Sequence, residues 1–232
     1  MADAGAIVVT GGTGGLGIGV CRVLIQTGRR VVVTWVVERE RERARELLGD
    51  SVELREVDVR SPGAVQEVVD ALEADGGVWG LAHLVGGYHD GDPLEGLDLE
   101  AWEGQMALNL RSAAVVMRAV LPGMTRRGGG RVVAVSSRAA VRPFAGASAY
   151  AASKAGLIAL VGAASEEVKH QGVTVNCVMP SVIDTPGNRA ANPDADTSRW
   201  VRPEEIGEVI GFLLSPQASA VTGAAIPVYG RA

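Results

Sequence analysis

The sequence contains few aromatic residues, few cysteines and almost no lysine. Phe, Trp and Tyr together make up 4% of its 232 residues, and only two residues are cysteines. Cys21 and Cys177 lie in apolar segments, which is typical of buried thiols and argues against a disulfide-stabilised scaffold. The only lysines are Lys154 and Lys169, and all other basic residues are arginines. The cysteine content indicates a reducing compartment.

Long hydrophobic runs and a surplus of basic residues are also absent. No apolar run approaches the roughly 20 residues of a membrane span, and no basic segment followed by an apolar one opens the chain. The formal charge of −5 and the pI near 5.3 do not match a protein that binds nucleic acid or an anionic membrane. No spacing of His, Cys, Asp and Glu indicates a metal site. We expect a soluble, cytoplasmic protein.

Short apolar runs alternate with segments of helical periodicity along the whole chain. This alternation predicts an α/β fold in which about seven strands form a doubly wound parallel sheet with helices on both faces. One domain is expected over residues 1–232. The expected strands are residues 6–10, 30–37, 52–57, 79–85, 131–136, 173–178 and 225–228. Two long helices are expected at residues 99–120 and 150–169, and the aperiodic residues 180–200 are typical of a lid.

A glycine-rich turn follows the first strand. The residues from Gly11 to Gly17 read GGTGGLG and lead directly into a helical pattern. Such a turn lets backbone N–H groups approach a pyrophosphate, and the N-terminus of a helix favours its negative charge. A glycine cluster can also be a merely flexible turn, but its place between a strand and a helix favours a dinucleotide-binding site.

The end of the second strand bears on the choice of dinucleotide. An acidic residue there selects NAD by binding the adenosine ribose. This chain has Thr34 and Trp35 at that position and no acid before Glu38. Arg39 or Arg41 could reach a 2′-phosphate, although both also fit an ordinary charged helix surface. The pattern favours NADP(H) over NAD(H).

Three residues with hydrogen-bonding side chains stand at spacings of thirteen and four, namely Ser137, Tyr150 and Lys154. On a helix, Tyr150 and Lys154 share one face. At about 4 Å and an effective dielectric near 20, the ammonium would stabilise a phenolate by roughly 4 kcal/mol, or about three pKa units. We therefore expect a lowered pKa at Tyr150, near 7, which suits general acid–base catalysis.

These motifs together resemble the single-domain short-chain dehydrogenases/reductases over nearly the whole chain. The turn from Thr10 to Gly17 is similar to the family's TGxxxGxG, and Tyr150 with Lys154 matches its YxxxK. The resemblance implies a Rossmann-like fold and NAD(P)(H)-dependent transfer of a hydride between a nicotinamide and a carbonyl or alcohol. It implies that Tyr150 exchanges the proton, that Ser137 holds the reacting oxygen and that Lys154 lowers the Tyr150 pKa and binds the ribose. Asn109 would position a water molecule.

The resemblance also implies the residues that surround the ligands. Asp58 matches the acid that binds the adenine amino group, and Asn176, Pro180 and Thr185 match the segment beside the nicotinamide carboxamide. The expected cofactor-binding residues are Thr10, Gly11, Gly12, Thr13, Gly14, Gly15, Leu16, Gly17, Trp35, Asp58, Val59, Gly86, Tyr150, Lys154, Pro180, Ser181, Ile183 and Thr185. The residues expected around the substrate are Tyr88, Ser137, Arg138, Phe144, Tyr150 and Trp200.

Two positions depart from the family pattern. The chain reads His83-Leu84-Val85-Gly86 where the family has NNAG, so the role of the family's asparagine is not carried over, and His83 is expected to be a hydrogen-bonded core residue. Ser181 replaces the glycine that usually follows Pro180.

Several functions remain open at this point. The substrate is unassigned, and the alternatives are 3-oxoacyl thioester (acyl carrier protein) reduction, dihydropteridine reduction, and a non-catalytic dinucleotide-binding protein. Small residues along the helix that starts at Tyr150 would permit close packing against a second copy. We therefore expect a homodimer or homotetramer that acts on a small carbonyl or alcohol and has no nucleic-acid or membrane partner.

Overall fold

A computed structural model describes residues 5–89, 91 and 93–231 of the chain. In this part of the chain, seven strands form one sheet in the order β3-β2-β1-β4-β5-β6-β7, and every neighbouring pair is parallel. The strands are β1 Ala6–Thr10, β2 Val31–Trp35, β3 Glu53–Glu56, β4 Val78–His83, β5 Gly130–Val135, β6 Val173–Pro180 and β7 Ala225–Val228. The predicted fold class is confirmed.

Helices cover both faces of this sheet. They are α1 Gly15–Ile25, α2 Glu38–Leu48, α3 Pro62–Ala74, α4 Leu99–Met106, α5 Ser112–Arg127, α6 Ser148–Val168, α7 Pro186–Ala191 and α8 Pro203–Leu213. One hydrophobic core lies between the sheet and α3, α5 and α6, and a second lies between the sheet and α1, α2 and α8. In β1, Val8 faces the first core while Ile7 and Val9 face the second, because successive side chains of a strand point to opposite faces. Each such buried aliphatic side chain contributes about 1.5–3 kcal/mol.

The strand order places a switch point between β1 and β4. From β1 the chain builds outward through β2 and β3, and it then returns to the other side of β1 and builds outward again from β4. In open parallel sheets, ligands bind in the crevice outside the carboxyl ends of the strands at such a point. The fold therefore predicts a ligand site among the residues that follow β1, β4 and the strands next to them.

The long helix predicted at residues 99–120 differs from the structure in two ways. It is interrupted by a π-helical turn at Ala107–Arg111, and it continues to Arg127 with Pro122 inside it. The prediction ended the helix at Val120, shortly before Pro122, a residue type that usually breaks a helix. Here the helix ends instead at Gly128, which takes a left-handed φ of 68°.

The predicted lid contains regular structure. Residues 180–200 include the short helix α7, which Thr185 caps by accepting a hydrogen bond from the Asn188 N–H at 3.2 Å. In the described parts of the chain, no helix is both long and apolar enough to cross a membrane. Among the same residues, no three His, Cys, Asp or Glu side chains come together as potential metal ligands.

Candidate active site

The carboxyl ends of the central strands lie side by side at one edge of the sheet. Thr10, the last residue of β1, pairs in register with His83, the last residue of β4. Two cavities of about 440 Å³ and 230 Å³ lie along this edge. Leu16, Leu84 and Gly86 line both of them, so the two cavities adjoin, and together they are called the groove.

The larger cavity is lined by the glycine-rich turn, the ends of β2 and β3 and the residues after β4. Its lining residues are Gly11, Thr13, Gly14, Gly15, Leu16, Gly17, Thr34, Trp35, Val36, Glu40, Val57, Asp58, Val59, Arg60, Leu84, Val85, Gly86 and Leu108. Gly11 has a φ of +72°, and a Cβ on Gly17 would lie 2.4 Å from the Gly11 carbonyl oxygen. The turn therefore closes onto the start of α1 only with glycine at these positions.

Charged side chains surround the far end of the larger cavity. The Arg60 side chain donates to Asp58 from Nε, at 3.0 Å and 3.2 Å to its two oxygens, and from Nη2 at 2.9 Å, and these bonds keep the pKa of Asp58 below its ordinary value. Glu40 accepts a hydrogen bond from the Thr13 hydroxyl at 3.1 Å. The Arg41 guanidinium lies 5.2 Å from the centre of the Trp35 ring. An acid and a base thus flank the end of β2.

The smaller cavity brings the predicted catalytic side chains together with the start of the lid. Its lining residues are Leu16, Leu84, Gly86, Gly87, Tyr88, Val135, Ser136, Ser137, Tyr150, Lys154, Pro180, Ser181, Ile183 and Asn188. Tyr88 stacks edge-on against Tyr150, with 5.2 Å between ring centres. An aromatic wall therefore stands beside the Tyr150 phenol.

The Tyr150 phenol is hydrogen-bonded to Ser137. Ser136 and Ser137 are the first two residues after β5. Ser137 Oγ accepts a hydrogen bond from the Ala139 N–H at 3.1 Å. Burial raises the pKa of Tyr150 above its ordinary value of 10.0, and the hydrogen bond from Ser137 offsets only part of that effect. The phenol is therefore protonated at neutral pH.

Lys154 is buried and its ammonium is held by the sheet. Lys154 Nζ donates to the Val135 carbonyl oxygen at 2.8 Å, and the Lys154 carbonyl oxygen accepts a hydrogen bond from Ser136 Oγ at 2.8 Å. Burial lowers the pKa of Lys154 from 10.5 to about 8. The expectation that Lys154 lowers the Tyr150 pKa to near 7 is wrong for this arrangement, because burial of the phenol has the larger effect and the ammonium is bound to Val135.

Asn109 lies in the π-helical turn and is fully buried. Its Oδ1 accepts from the Gly87 N–H at 2.9 Å, while the two hydrogens of its Nδ2 are shared among three acceptors at 3.1 Å, the Gly87 carbonyl, Gln105 Oε1 and Ser153 Oγ. Ser153 in turn donates to the Tyr150 carbonyl oxygen at 2.8 Å. Asn109 thus connects the loop after β4 to the helix that carries Tyr150, instead of lining the cavity itself.

Some predicted ligand-binding residues do not line either cavity. These are Thr10, Gly12, Asn109, Arg138, Phe144, Thr185 and Trp200. Gly12 lies beneath its turn, where a Cβ would come within 2.7 Å of Val33 and 3.0 Å of Val9. The Thr10 hydroxyl is directed at His83.

Of the predicted substrate residues, Tyr88, Ser137 and Tyr150 line the smaller cavity, while Arg138 and Phe144 lie further out. Arg138 stacks over the Tyr229 ring at 5.6 Å, and Phe144 packs against Tyr88 with 5.9 Å between ring centres. Phe144 and Tyr88 are each about half exposed, so they form the outer part of the aromatic wall.

Several residues of the groove were not predicted from the sequence. Glu40 reaches the cavity from the first turn of α2, and Asn188 reaches it from α7 while donating to the Ile183 carbonyl at 2.8 Å. Gly87 matters as the backbone partner of Asn109. The acidic run at the start of α2 was the only signal for Glu40, and no local pattern indicates which of its acids turns inward.

Comparisons with known proteins agree with this geometry. The sequence model of the short chain dehydrogenase family matches residues 5–196. The 3-oxoacyl-(acyl-carrier-protein) reductase FabG of Vibrio cholerae is 32% identical, with 96% of this chain and 95% of the relative covered. The cis-4-hydroxycyclohexanecarboxylate dehydrogenase of Sinomonas cyclohexanicum is also 32% identical, with 96% and 94% covered.

A solved structure shows the same architecture. A short-chain type dehydrogenase/reductase from Mycobacterium ulcerans superposes with a TM-score of 0.91 at 30% identity, covering 97% of this chain and 88% of that one. Fold, site geometry and sequence therefore lead to one conclusion. The chain belongs to the short-chain dehydrogenase family and is an NAD(P)-dependent oxidoreductase.

Proposed function

We propose that this enzyme reduces a ketone to an alcohol, or catalyses the reverse reaction, with Tyr150 as the proton donor. The observation that carries this proposal is the Tyr150 phenol, hydrogen-bonded to Ser137 and placed with Lys154 on the wall of the smaller cavity. A binding protein without catalysis would not need these three side chains around a cavity that continues into a dinucleotide-sized groove.

The groove fits a nicotinamide dinucleotide. A Cβ on Gly86 would lie 2.7 Å from Lys154 Nζ and 2.8 Å from Asn109 Oδ1, so only a bare backbone leaves these groups in place beside the shared part of the two cavities. The glycine turn would hold the pyrophosphate at the N-terminus of α1, and Asp58 and Trp35 would contact the adenosine half. When bound, the nicotinamide supplies or accepts the hydride.

The protein's own contribution is to orient the substrate and to hold the proton. Tyr150 is protonated at neutral pH because burial raises its pKa, so the phenol can donate its proton to the substrate oxygen as the carbonyl becomes an alcohol. Ser137 would stabilise the same oxygen by a second hydrogen bond. The Lys154 ammonium, held at the Val135 carbonyl, would bind the ribose hydroxyls of the cofactor beside this phenol.

The test of this proposal is Tyr150→Phe. We expect at least a thousandfold loss of turnover, measured as NADPH oxidation, with the cofactor dissociation constant changed by less than about threefold, because only the transferred proton is removed. Tyr229→Phe is the matched control, since it also removes one tyrosine hydroxyl but lies outside both cavities. Retained carbonyl reduction by Tyr150→Phe would refute the role.

We propose NADP(H) as the preferred cofactor. The Arg41 guanidinium over the Trp35 ring supports this, because it places a positive charge at the end of β2 where a 2′-phosphate would lie. Glu40 opposes it with a carboxylate on the same cavity.

Cofactor preference can be measured as the ratio of kcat/KM for NADPH to that for NADH. Arg41→Ala should lower the ratio about tenfold, because Arg41 lies over the Trp35 ring, and Glu40→Ala should raise it. Arg39→Ala, an exposed change on the same helix, should leave it unchanged. A wild-type preference for NADH would overturn the proposal.

For the substrate we propose a ketone with a ring that packs against the aromatic wall of Tyr88 and Phe144. This wall and the relative named for a hydroxycyclohexanecarboxylate support it. A 3-oxoacyl thioester is the second candidate, supported by the FabG relative. A panel of 4-oxocyclohexanecarboxylate, acetoacetyl-CoA and a quinonoid dihydropteridine separates these candidates from each other and from pteridine reduction.

We propose that the chain assembles as a homodimer or homotetramer through α6. Ala159 and Ala163 on this helix are exposed, and no atom lies within 4 Å of a Cβ placed on Gly162. Such small exposed residues permit the close approach of a second helix.

A further inference from the structure

His83 occupies the centre of the sheet edge but lines neither cavity. It ends β4, it pairs in register with Thr10 of β1 and Ala134 of β5, and it is fully buried. The prediction that it is a hydrogen-bonded core residue is confirmed. Both ring nitrogens have partners, since Nδ1 lies 2.8 Å from Thr10 Oγ1 and Nε2 lies 3.2 Å from Ser112 Oγ.

The partners of Ser112 determine where the imidazole proton lies. Ser112 Oγ donates its only hydrogen to the Leu108 carbonyl oxygen at 2.5 Å, because a carbonyl can only accept. Ser112 can therefore offer only a lone pair to His83, so Nε2 must carry the hydrogen. A neutral imidazole then has an acceptor at Nδ1, and the Thr10 hydroxyl must donate to it.

The three bonds run in one direction, from Thr10 through His83 and Ser112 to the Leu108 carbonyl. A neutral ring is also what this site favours, since burial lowers the pKa of His83 to about 3, with a smaller contribution from Lys154. Thr10, His83 and Ser112 each donate one side-chain hydrogen to the next member of the chain of bonds. Because the Leu108 carbonyl at its end can only accept, the direction of every bond before it is determined.

The two ends of this chain of bonds lie next to two different turns. Thr10 immediately precedes Gly11, where the cofactor turn begins. Leu108 and Ser112 hold the π-helical turn, in which the Ser112 N–H bonds to the Ala107 carbonyl, one residue further back than in an α-helix. That turn carries Asn109, whose amide leads through Ser153 to the Tyr150 carbonyl.

We propose that His83, with its hydrogen on Nε2, is a positioning residue that holds the cofactor turn and the Asn109 turn in register with each other. The Nδ1 side acts on the cofactor turn, and the Nε2 side acts on the turn that supports the helix of Tyr150. An asparagine at this position would be too short to make both contacts.

Two substitutions separate the two sides of the ring. The side-chain amide of Asn has a polar atom at the position of Nδ1, so His83→Asn keeps the contact to Thr10 and loses the contact to Ser112. The side-chain amide of Gln has a polar atom at the position of Nε2, so His83→Gln keeps the contact to Ser112 and loses the contact to Thr10. We expect His83→Asn to lower kcat about tenfold with the NADPH dissociation constant unchanged, as small misplacements of reacting groups do. We expect His83→Gln to raise that constant about tenfold with little change in kcat at saturating cofactor.

Matched substitutions at the partners test the same division. Ser112→Ala should reproduce the effect of His83→Asn on kcat, and Thr10→Val should reproduce the effect of His83→Gln on binding. Equal losses of kcat and of cofactor affinity in both His83 variants would mean a merely structural role and would overturn the proposal.

A spectroscopic test does not depend on activity or on the stability of variants. Long-range ¹H–¹⁵N correlation spectra of the wild-type protein at neutral pH should show His83 with the hydrogen on Nε2, and a signal pattern of the Nδ1–H form would refute the proposal. The kinetic arm rests on the proposed reductase function. If no substrate turns over, that function fails, while the tautomer and the dissociation constants still decide the role of His83.

Discussion

Lys154 is a charged side chain in a place that solvates it poorly. It is 3% exposed, and its ammonium donates to the Val135 carbonyl inside the protein. The lowered pKa of about 8, against 10.5 for the free side chain, corresponds to roughly 3 kcal/mol against the charged form. The enzyme therefore carries a stability cost at a residue that we propose to act in its chemistry.

Lys154→Met should remove this cost. At pH 7 we expect the free energy of unfolding to rise by about 1–3 kcal/mol, measured by urea denaturation, with turnover abolished. The folded pKa is lowered, so the unfolded state binds more protons between about pH 8 and 10.5, and wild-type stability rises with pH across that window. The advantage of the variant should accordingly shrink towards pH 10.

The control is the only other lysine. Lys169 lies on the surface and pairs with Glu166, so Lys169→Met should change stability by less than about 0.5 kcal/mol. If Lys154→Met instead lost as much stability as a substitution that leaves a cavity in the core, this would contradict the interpretation that the buried ammonium costs stability.

The raised pKa of Tyr150 and the lowered pKa of Lys154 together predict the pH dependence of reduction. Tyr150, whose pKa is raised, stays protonated, whereas Lys154 loses its charge above about pH 8. The value of kcat/KM for the cofactor, which reports on the free enzyme, should be constant from pH 6 to about 7.5 and fall above pH 8. A profile that stays constant to pH 10 would show that the charge of Lys154 is not required.

At the scale of elements, the site depends on how closely α6 and the π-helical turn approach the loop after β4. Gly86 makes this approach possible, because both Lys154 and Asn109 come within 2.8 Å of the place where its Cβ would be. Asn109 cannot retreat without breaking its bonds to Gly87 and Ser153. The loop, the turn and α6 therefore pack as one unit.

Gly86→Ala should disrupt this unit. We expect a loss of about 1–3 kcal/mol in the free energy of unfolding from overpacking and at least a tenfold lower kcat from the displaced ammonium. Gly63→Ala is the matched control, since no atom lies within 4 Å of its Cβ position in α3, and we expect it to gain about 0.5–1 kcal/mol. Chemical denaturation and steady-state kinetics of both variants measure these effects. Wild-type kinetics in Gly86→Ala would contradict the close packing of the loop, the turn and α6.

At the scale of the whole molecule, α6 serves both the active site and the proposed assembly. Its inner face carries Tyr150 and Lys154, and its outer face carries Ala159, Gly162 and Ala163. The dimeric or tetrameric state and the cytoplasmic location both stay predictions.

Gly162→Arg tests the assembly. We expect the wild-type protein to elute as a dimer or tetramer in size-exclusion chromatography with light scattering. The variant should shift towards the monomer, because a charged side chain would be buried where two helices meet. Gln66→Arg adds the same side chain to the exposed face of α3 and should not change the mass. A monomeric wild-type protein would overturn the proposed interface.

Much of this protein followed from its sequence alone, because the governing interactions are local. The apolar runs from β1 to β7, the glycine turn after Thr10 and the shared face of Tyr150 and Lys154 depend on periodicity and spacing within short segments. These patterns determined the doubly wound fold and placed the groove at the carboxyl ends of the strands.

Only the tertiary structure decided how the side chains use that placement. The ammonium of Lys154 binds Val135, the pKa of Tyr150 rises instead of falling, Glu40 reaches the larger cavity, and His83 bonds to both Thr10 and Ser112. Each of these outcomes depends on desolvation and on partners contributed by other elements, which a spacing in the chain does not contain. Burial by the assembled sheet and helices determined the electrostatics of the site.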